Sequence, residues 1–253
     1  MNNDIQQSEL LFYLPITLSY GIACLIAWLG FRKIKIWNIK SNKKPNKPGL
    51  ELLLAIISVV GVFGVGRIYS AGFLIPAIYN PWAWVLNNLI IYSPIFIYLI
   101  IRRQSLSTIW LSPKNLHIKL GIGIIGAIAA TALFLVLRGE VNRWPDVFDR
   151  AFTFHNVTNF VAVFLENLAI AFLFIRLSWV ANLKVALVIP GMLFALAHVP
   201  GMLADGDPWW HIMLMSICTG SIAVFVLYTS SKVKDIIWLG LVHYFLDVAI
   251  NAF

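Results

Sequence analysis

The sequence predicts an all-α, polytopic membrane bundle of about eight transmembrane helices, folded as a single domain over residues 1–253. Three observations carry this expectation. Of the 253 residues, 60% are hydrophobic and only 12% are charged, whereas a soluble domain carries about 25% charge. The mean hydropathy is +0.84, so too little polar surface exists to cover a water-exposed globule. The apolar runs are continuous and roughly 20 residues long, the length of a membrane-crossing helix rather than the alternating ten-residue strand of a barrel. The basic residues, finally, sort between the two sides that such a layout creates.

The spans are taken in order. Residues 10–31 follow a polar, slightly acidic start that lacks a basic n-region and a small-residue cleavage site, so they are read as an uncleaved helix. Residues 50–65 form the weakest span, rich in glycine and opening with Glu51. Phe73–Ile78 after it are expected to form a short interfacial or re-entrant piece. Residues 84–101 and 120–137 are plain apolar runs. Residues 157–177, 183–199, 211–228 and 236–253 complete the set. Trp82, Trp84, Trp209, Trp210 and Tyr228 fall near span ends, where aromatic belts form.

With the N-terminus outside, 15 of the 19 Lys and Arg residues fall in inside segments, and only Arg67, Arg138, Arg143 and Arg150 fall outside. This is the pattern of the positive-inside rule, and it favours an even number of spans with both termini outside. The densest basic run, from Arg32 to Lys47, directly follows the first span. It accounts for much of the net charge of +8 as a topology determinant that touches anionic lipid headgroups, so nucleic acid is not the expected partner. Cys24 and Cys218 both lie in apolar runs and read as structural thiols.

Against this background four residues stand out: Glu166, His198, His243 and Asp247. A carboxylate at the bilayer centre costs roughly 2.5–3.5 kcal/mol on insertion scales, so such residues face the interior of a bundle and are candidates for function. Phe194 and His198 share a helix face, as do His243, Asp247 and Asn251. Pro200 places His198 in the last turn of its helix. Asn167 reads as an interhelical hydrogen-bond partner. Glu51, Arg176 and Asp235 read as interfacial, and His117, His155 and His211 as surface residues.

Three patterns contain the four residues: Glu166-Asn167, Phe194-xxx-His198 and His243-xxx-Asp247. In order and spacing they resemble the EExxxR, FxxxH and HxxxN motifs of the CPBP (Abi) family, the CAAX prenyl protease 2 and bacteriocin-processing intramembrane proteases. The resemblance covers roughly Phe160 to Phe253, within a protease core of about residues 157–253. Asn167 replaces the second Glu, Ala171 stands at the Arg position, and Asp247 replaces the Asn. The resemblance implies an endopeptidase in which Glu166 and His198 activate water while His243 and Asp247 stabilise the oxyanion. It implies a peptide or protein substrate, prenylated or unmodified, and a multi-pass protein of the cell membrane.

The same side chains would also suit zinc, held by His198, His243 and either Glu166 or Asp247. No HExxH pair is present, so a metal-independent site is preferred and zinc stays open. Two other classes compete. One is a non-catalytic relative acting as an immunity or interaction protein, which the altered first motif favours. The other is a small proton- or cation-coupled transporter. No inverted repeat or paired broken helices are visible in the sequence to support the transporter.

Overall fold

The computed structural model describes residues 2–33, 44–76 and 80–252, with side chains from Tyr13 onward. These residues form helices joined by short links. Six helices are long and apolar enough to cross a membrane. They are α1 (Asn2–Lys33), α2 (Pro48–Ser70), α5 (Leu116–Arg138), α7 (Phe154–Leu177), α8 (Leu183–Ala204) and α9 (Trp209–Val233). Between them lie α3 (Pro81–Ile91), α4 (Ser93–Ile101) and α6 (Trp144–Ala151), and α10 (Ile237–Ile250) ends the fold. The chain is therefore a multi-pass helical membrane protein by the length and composition of its helices.

Of the eight spans expected, six helices among the described residues are long and apolar enough to cross, or seven if α3 and α4 form one span bent by 48°. Pro94 in the first turn of α4 explains the bend, because it has no N–H to continue the ladder from α3. The eighth expected span, α10, has 14 helical residues, about 21 Å at 1.5 Å per residue and short of a ~30 Å hydrocarbon core.

Helix ends are set by local chemistry. Asn80 caps α3 by accepting from the N–H groups of Trp82 and Ala83, and Asn182 caps α8 by accepting from that of Val185. Gly139 ends α5 at φ 70°, a torsion glycine adopts without a Cβ penalty. Pro200 does not end α8, which continues to Ala204, so His198 lies more than a turn before the helix end. A proline removes one hydrogen bond, and in membrane helices such gaps are tolerated. The described part of the Phe73–Ile78 segment is not helical. Residues 75 and 87 hold it instead: Asn87 Nδ2 donates to Ile75 O at 2.7 Å, and Ile75 N donates back to Asn87 Oδ1 at 3.2 Å. Residues 77–79, and the 34–43 part of the basic run, lie outside the described residues.

The core divides into two parts. One joins α1, α5, α6 and α10 around Phe31, Phe134 and Trp238. The other joins α2, α4, α7 and the start of α8 around Ile95, Leu168 and Phe172. Helix α7 touches α2, α3, α8 and α10 and is the most buried of the six long helices. By contrast α2 and α5 turn large apolar side chains outward, among them Val60 and Ile125, as a lipid-facing surface requires.

Glu51, Arg176 and Asp235 lie at helix ends, as an interfacial position requires, but they are buried: 2%, 0% and 0% exposed. Each is buried because it has partners. Glu51 accepts from Tyr98 Oη, from Gln104 Nε2 at 3.0 Å and from Arg102 Nε at 3.0 Å. Arg176 Nη1 donates to Thr108 O at 3.0 Å, and its guanidinium lies 4.5 Å from the Phe172 ring centre. Asp235 pairs with Lys119 at 2.7 Å, with both side chains fully buried. Lys119 also donates to Ser112 O at 2.7 Å. These clusters tie the starts of α2, α5 and α10 to the ends of α4, α7 and α9. At the far end Arg143 donates to Ala252 O at 2.6 Å and Arg150 to Asn251 O at 3.1 Å. Residues 235–252 thus run alongside α5 from one end of the bundle to the other.

Candidate functional site

Glu166, His198, His243 and Asp247 line one cavity of about 570 Å³. It lies between the two halves of the core, with α7, α8 and α10 contributing the four side chains. Tyr20, Asn88, Asn159, Phe194, Thr219 and Asn251 are also on its wall. The volume is that of a small-ligand site. The four residues are half-buried, exposed to the cavity rather than sealed in the core.

Each helix delivers its residue for a local reason. Glu166 stands near the middle of α7, and it lies within electrostatic reach of His243, His198 and Asp247. His198 stacks on Phe194 one turn earlier, with ring centres 4.8 Å apart and edge to face. Its Nδ1 is 2.8 Å from Phe194 O. A carbonyl only accepts, so Nδ1 carries the proton and Nε2 is left to accept. Phe194 also meets the His243 ring edge-on, at 6.1 Å between centres.

On α10 the His243, Asp247 and Asn251 stripe faces the cavity as its spacing predicts. His243 Nε2 is 3.5 Å from Asp247 Oδ1, an electrostatic contact at the outer limit of a hydrogen bond. His243 Nδ1 meets Asn167 of α7, with Nδ2 at 3.1 Å. Asn167 is therefore the interhelical partner its position suggests. Tyr20 of α1 closes the wall edge-on to His243 at 6.3 Å. His117 and His155 are exposed and His211 pairs with Asp207 at 3.4 Å; none of the three lines the cavity.

Sequence reasoning missed Tyr20, Asn88 and Tyr92. Tyr92 marks the break between α3 and α4, one turn after Asn88. The signal was present as an aromatic residue two positions before Pro94, but nothing in the sequence aims α3 at the cavity.

Zinc would need three donor atoms turned toward one point. Among the described residues no three His, Cys, Asp or Glu side chains are grouped that way. Each histidine has Nδ1 engaged, by Phe194 O and by Asn167, which leaves the Nε2 atom of each toward the cavity. The ligand set of His198, His243 and Glu166 or Asp247 does not form in this arrangement.

No family model matches the chain, and no curated protein or solved structure matches it.

Proposed function

We propose that this chain is an intramembrane endopeptidase of the CPBP type, hydrolysing a peptide bond with water activated by Glu166 and His198. The observation that supports it is the convergence of Glu166, His198, His243 and Asp247, from three helices, on one cavity in an otherwise apolar bundle. Water held between Glu166 and His198 Nε2 loses a proton to this pair as its oxygen bonds to the substrate carbonyl carbon. The resulting oxyanion takes a hydrogen bond from His243. Collapse of the tetrahedral centre breaks the C–N bond, and the proton passes to the departing amine. Purified protein incubated with a panel of lipidated and unlipidated peptides tests the reading. Cleavage by the wild type and none by Glu166→Ala supports it; equal rates from both sink it.

A proton- or cation-coupled carrier is the second reading. The observation favouring it is the broken α3–α4 pair, whose first helix puts Asn88 on the wall of the cavity that Glu166 lines. Broken helices at midplane carboxylates are a carrier's way of building an ion site. Proton-coupled uptake into proteoliposomes, lost in Glu166→Ala without any peptide cleavage, would select this reading. A non-catalytic interaction protein would show neither activity.

A further inference from the structure

Asn167 is 4% exposed, and its amide has two engagements. Nδ2 donates to Val163 O at 2.8 Å on its own helix. That bond fixes the orientation of the amide, because the flipped form would set Oδ1 against a carbonyl oxygen. The same Nδ2 lies 3.1 Å from His243 Nδ1, while Oδ1 is more distant at 3.4 Å. An amide nitrogen has two hydrogens. One goes to Val163 O and the other points to the ring. A nitrogen that receives an N–H must offer a lone pair, so Nδ1 of His243 is unprotonated and the neutral ring carries its proton on Nε2.

We propose that Asn167 is a positioning residue that holds His243 as the Nε2–H tautomer. His198 is held in the reverse state by Phe194 O, with its proton on Nδ1. Two chemically identical side chains thus give the cavity one acceptor, His198 Nε2, and one donor, His243 Nε2–H. The donor faces Asp247 at 3.5 Å, a contact long enough for an incoming oxygen to displace. The geometry stands without any assumption about activity. Its catalytic consequence, an oxyanion donor set in advance, rests on the peptidase reading.

The test is ring-nitrogen NMR of protein labelled with 15N-histidine, in lipid nanodiscs at a pH where imidazole is neutral. A His243→Gln variant assigns the signal. In the wild type Nδ1 should resonate as an unprotonated nitrogen and Nε2 as a protonated one. Asn167→Asp is nearly isosteric, and its ionised carboxylate only accepts, so it should move the proton to Nδ1. Asn167→Leu should give a mixture. A protonated Nδ1 in the wild type, or a ring unchanged by both substitutions, overturns the proposal. If neither variant folds, the wild-type spectrum alone decides. Where peptide cleavage is measurable, Asn167→Asp should lower kcat about a hundredfold with little change in KM, the usual cost of losing one oxyanion donor. The expected tautomer in a protein that cleaves nothing would sink the peptidase reading and leave the role of Asn167 standing. A wrong tautomer in a protein that cleaves would do the opposite.

Discussion

Glu166 and His198 come from different helices and meet only across the cavity, so their effects should be coupled rather than additive. Under the peptidase reading, Glu166→Ala or His198→Ala should each lower cleavage by about a hundredfold or more. The double variant should be little worse than either single one, because groups that act as a unit are strongly non-additive. Steady-state rates of the three variants check this, and simple multiplication of the single effects would count against a shared site. Asp247→Asn is the informative exception. It supplies an amide donor beside His243 and removes a half-buried carboxylate, so activity should be retained or raised. The absence of an HExxH pair also leads to an expectation about metal: a chelator should leave cleavage unchanged. Stoichiometric zinc in the purified protein, with activity lost to the chelator and restored by zinc, would refute that.

At the scale of elements, the pairing of α5 with α10 decides whether His243 and Asp247 reach the cavity. The two helices approach closely at Gly123, where an added Cβ would meet Leu241 Cδ1 at 2.7 Å and the Trp238 Cα at 2.9 Å. A backbone atom cannot rotate away. Gly123→Val should therefore destabilise the fold by about 1–3 kcal/mol, the common cost of overpacking. Gly121→Ala, with nothing within 4 Å of its Cβ, should be neutral or slightly stabilising. Thermal unfolding in detergent separates the two. One end of the same pair is pinned by Lys119 and Asp235. Lys119→Met leaves a buried carboxylate unpaired and should cost about 3–5 kcal/mol. Adding Asp235→Asn removes that charge while an Oδ1 atom still accepts from Ile237 N, an interaction of 2.8 Å in the native protein. The double variant should recover most of the loss, and a double variant as unstable as the single one would show that the pair matters for some other reason.

For the whole molecule, the distribution of charge between the two ends of the bundle sets its orientation in a membrane. The clusters of Glu51 with Arg102, Lys119 with Asp235, and Arg176 with Thr108 all lie at one end. Arg143 and Arg150 lie at the other, against residues 251 and 252. That division matches the charge sorting along the chain. Cysteines introduced between residues 32 and 47 should resist impermeant thiol reagents in intact cells, and those between 138 and 154 should be labelled. Labelling of the first segment from outside would invert the layout.

The apolar runs, by themselves, determined that the described residues fold as helices and roughly where the long ones lie, because continuous hydrophobicity in lipid leaves the backbone no other way to satisfy its hydrogen bonds. They also singled out Glu166, His198, His243 and Asp247, because an ionisable group is conspicuous where almost none is affordable. Tertiary structure decided what local pattern cannot encode. Pro200 reads as a helix stop, yet α8 passes through it and continues to Ala204, since one missing hydrogen bond is tolerated in a membrane helix. Glu51, Arg176 and Asp235 read as interfacial by position; that they are also buried depends on partners distant in sequence. The tautomer of His243 depends on Asn167, 76 residues away. Periodicity reports which face a residue occupies on its own helix; it carries no information about which donor the packed bundle will set against that face.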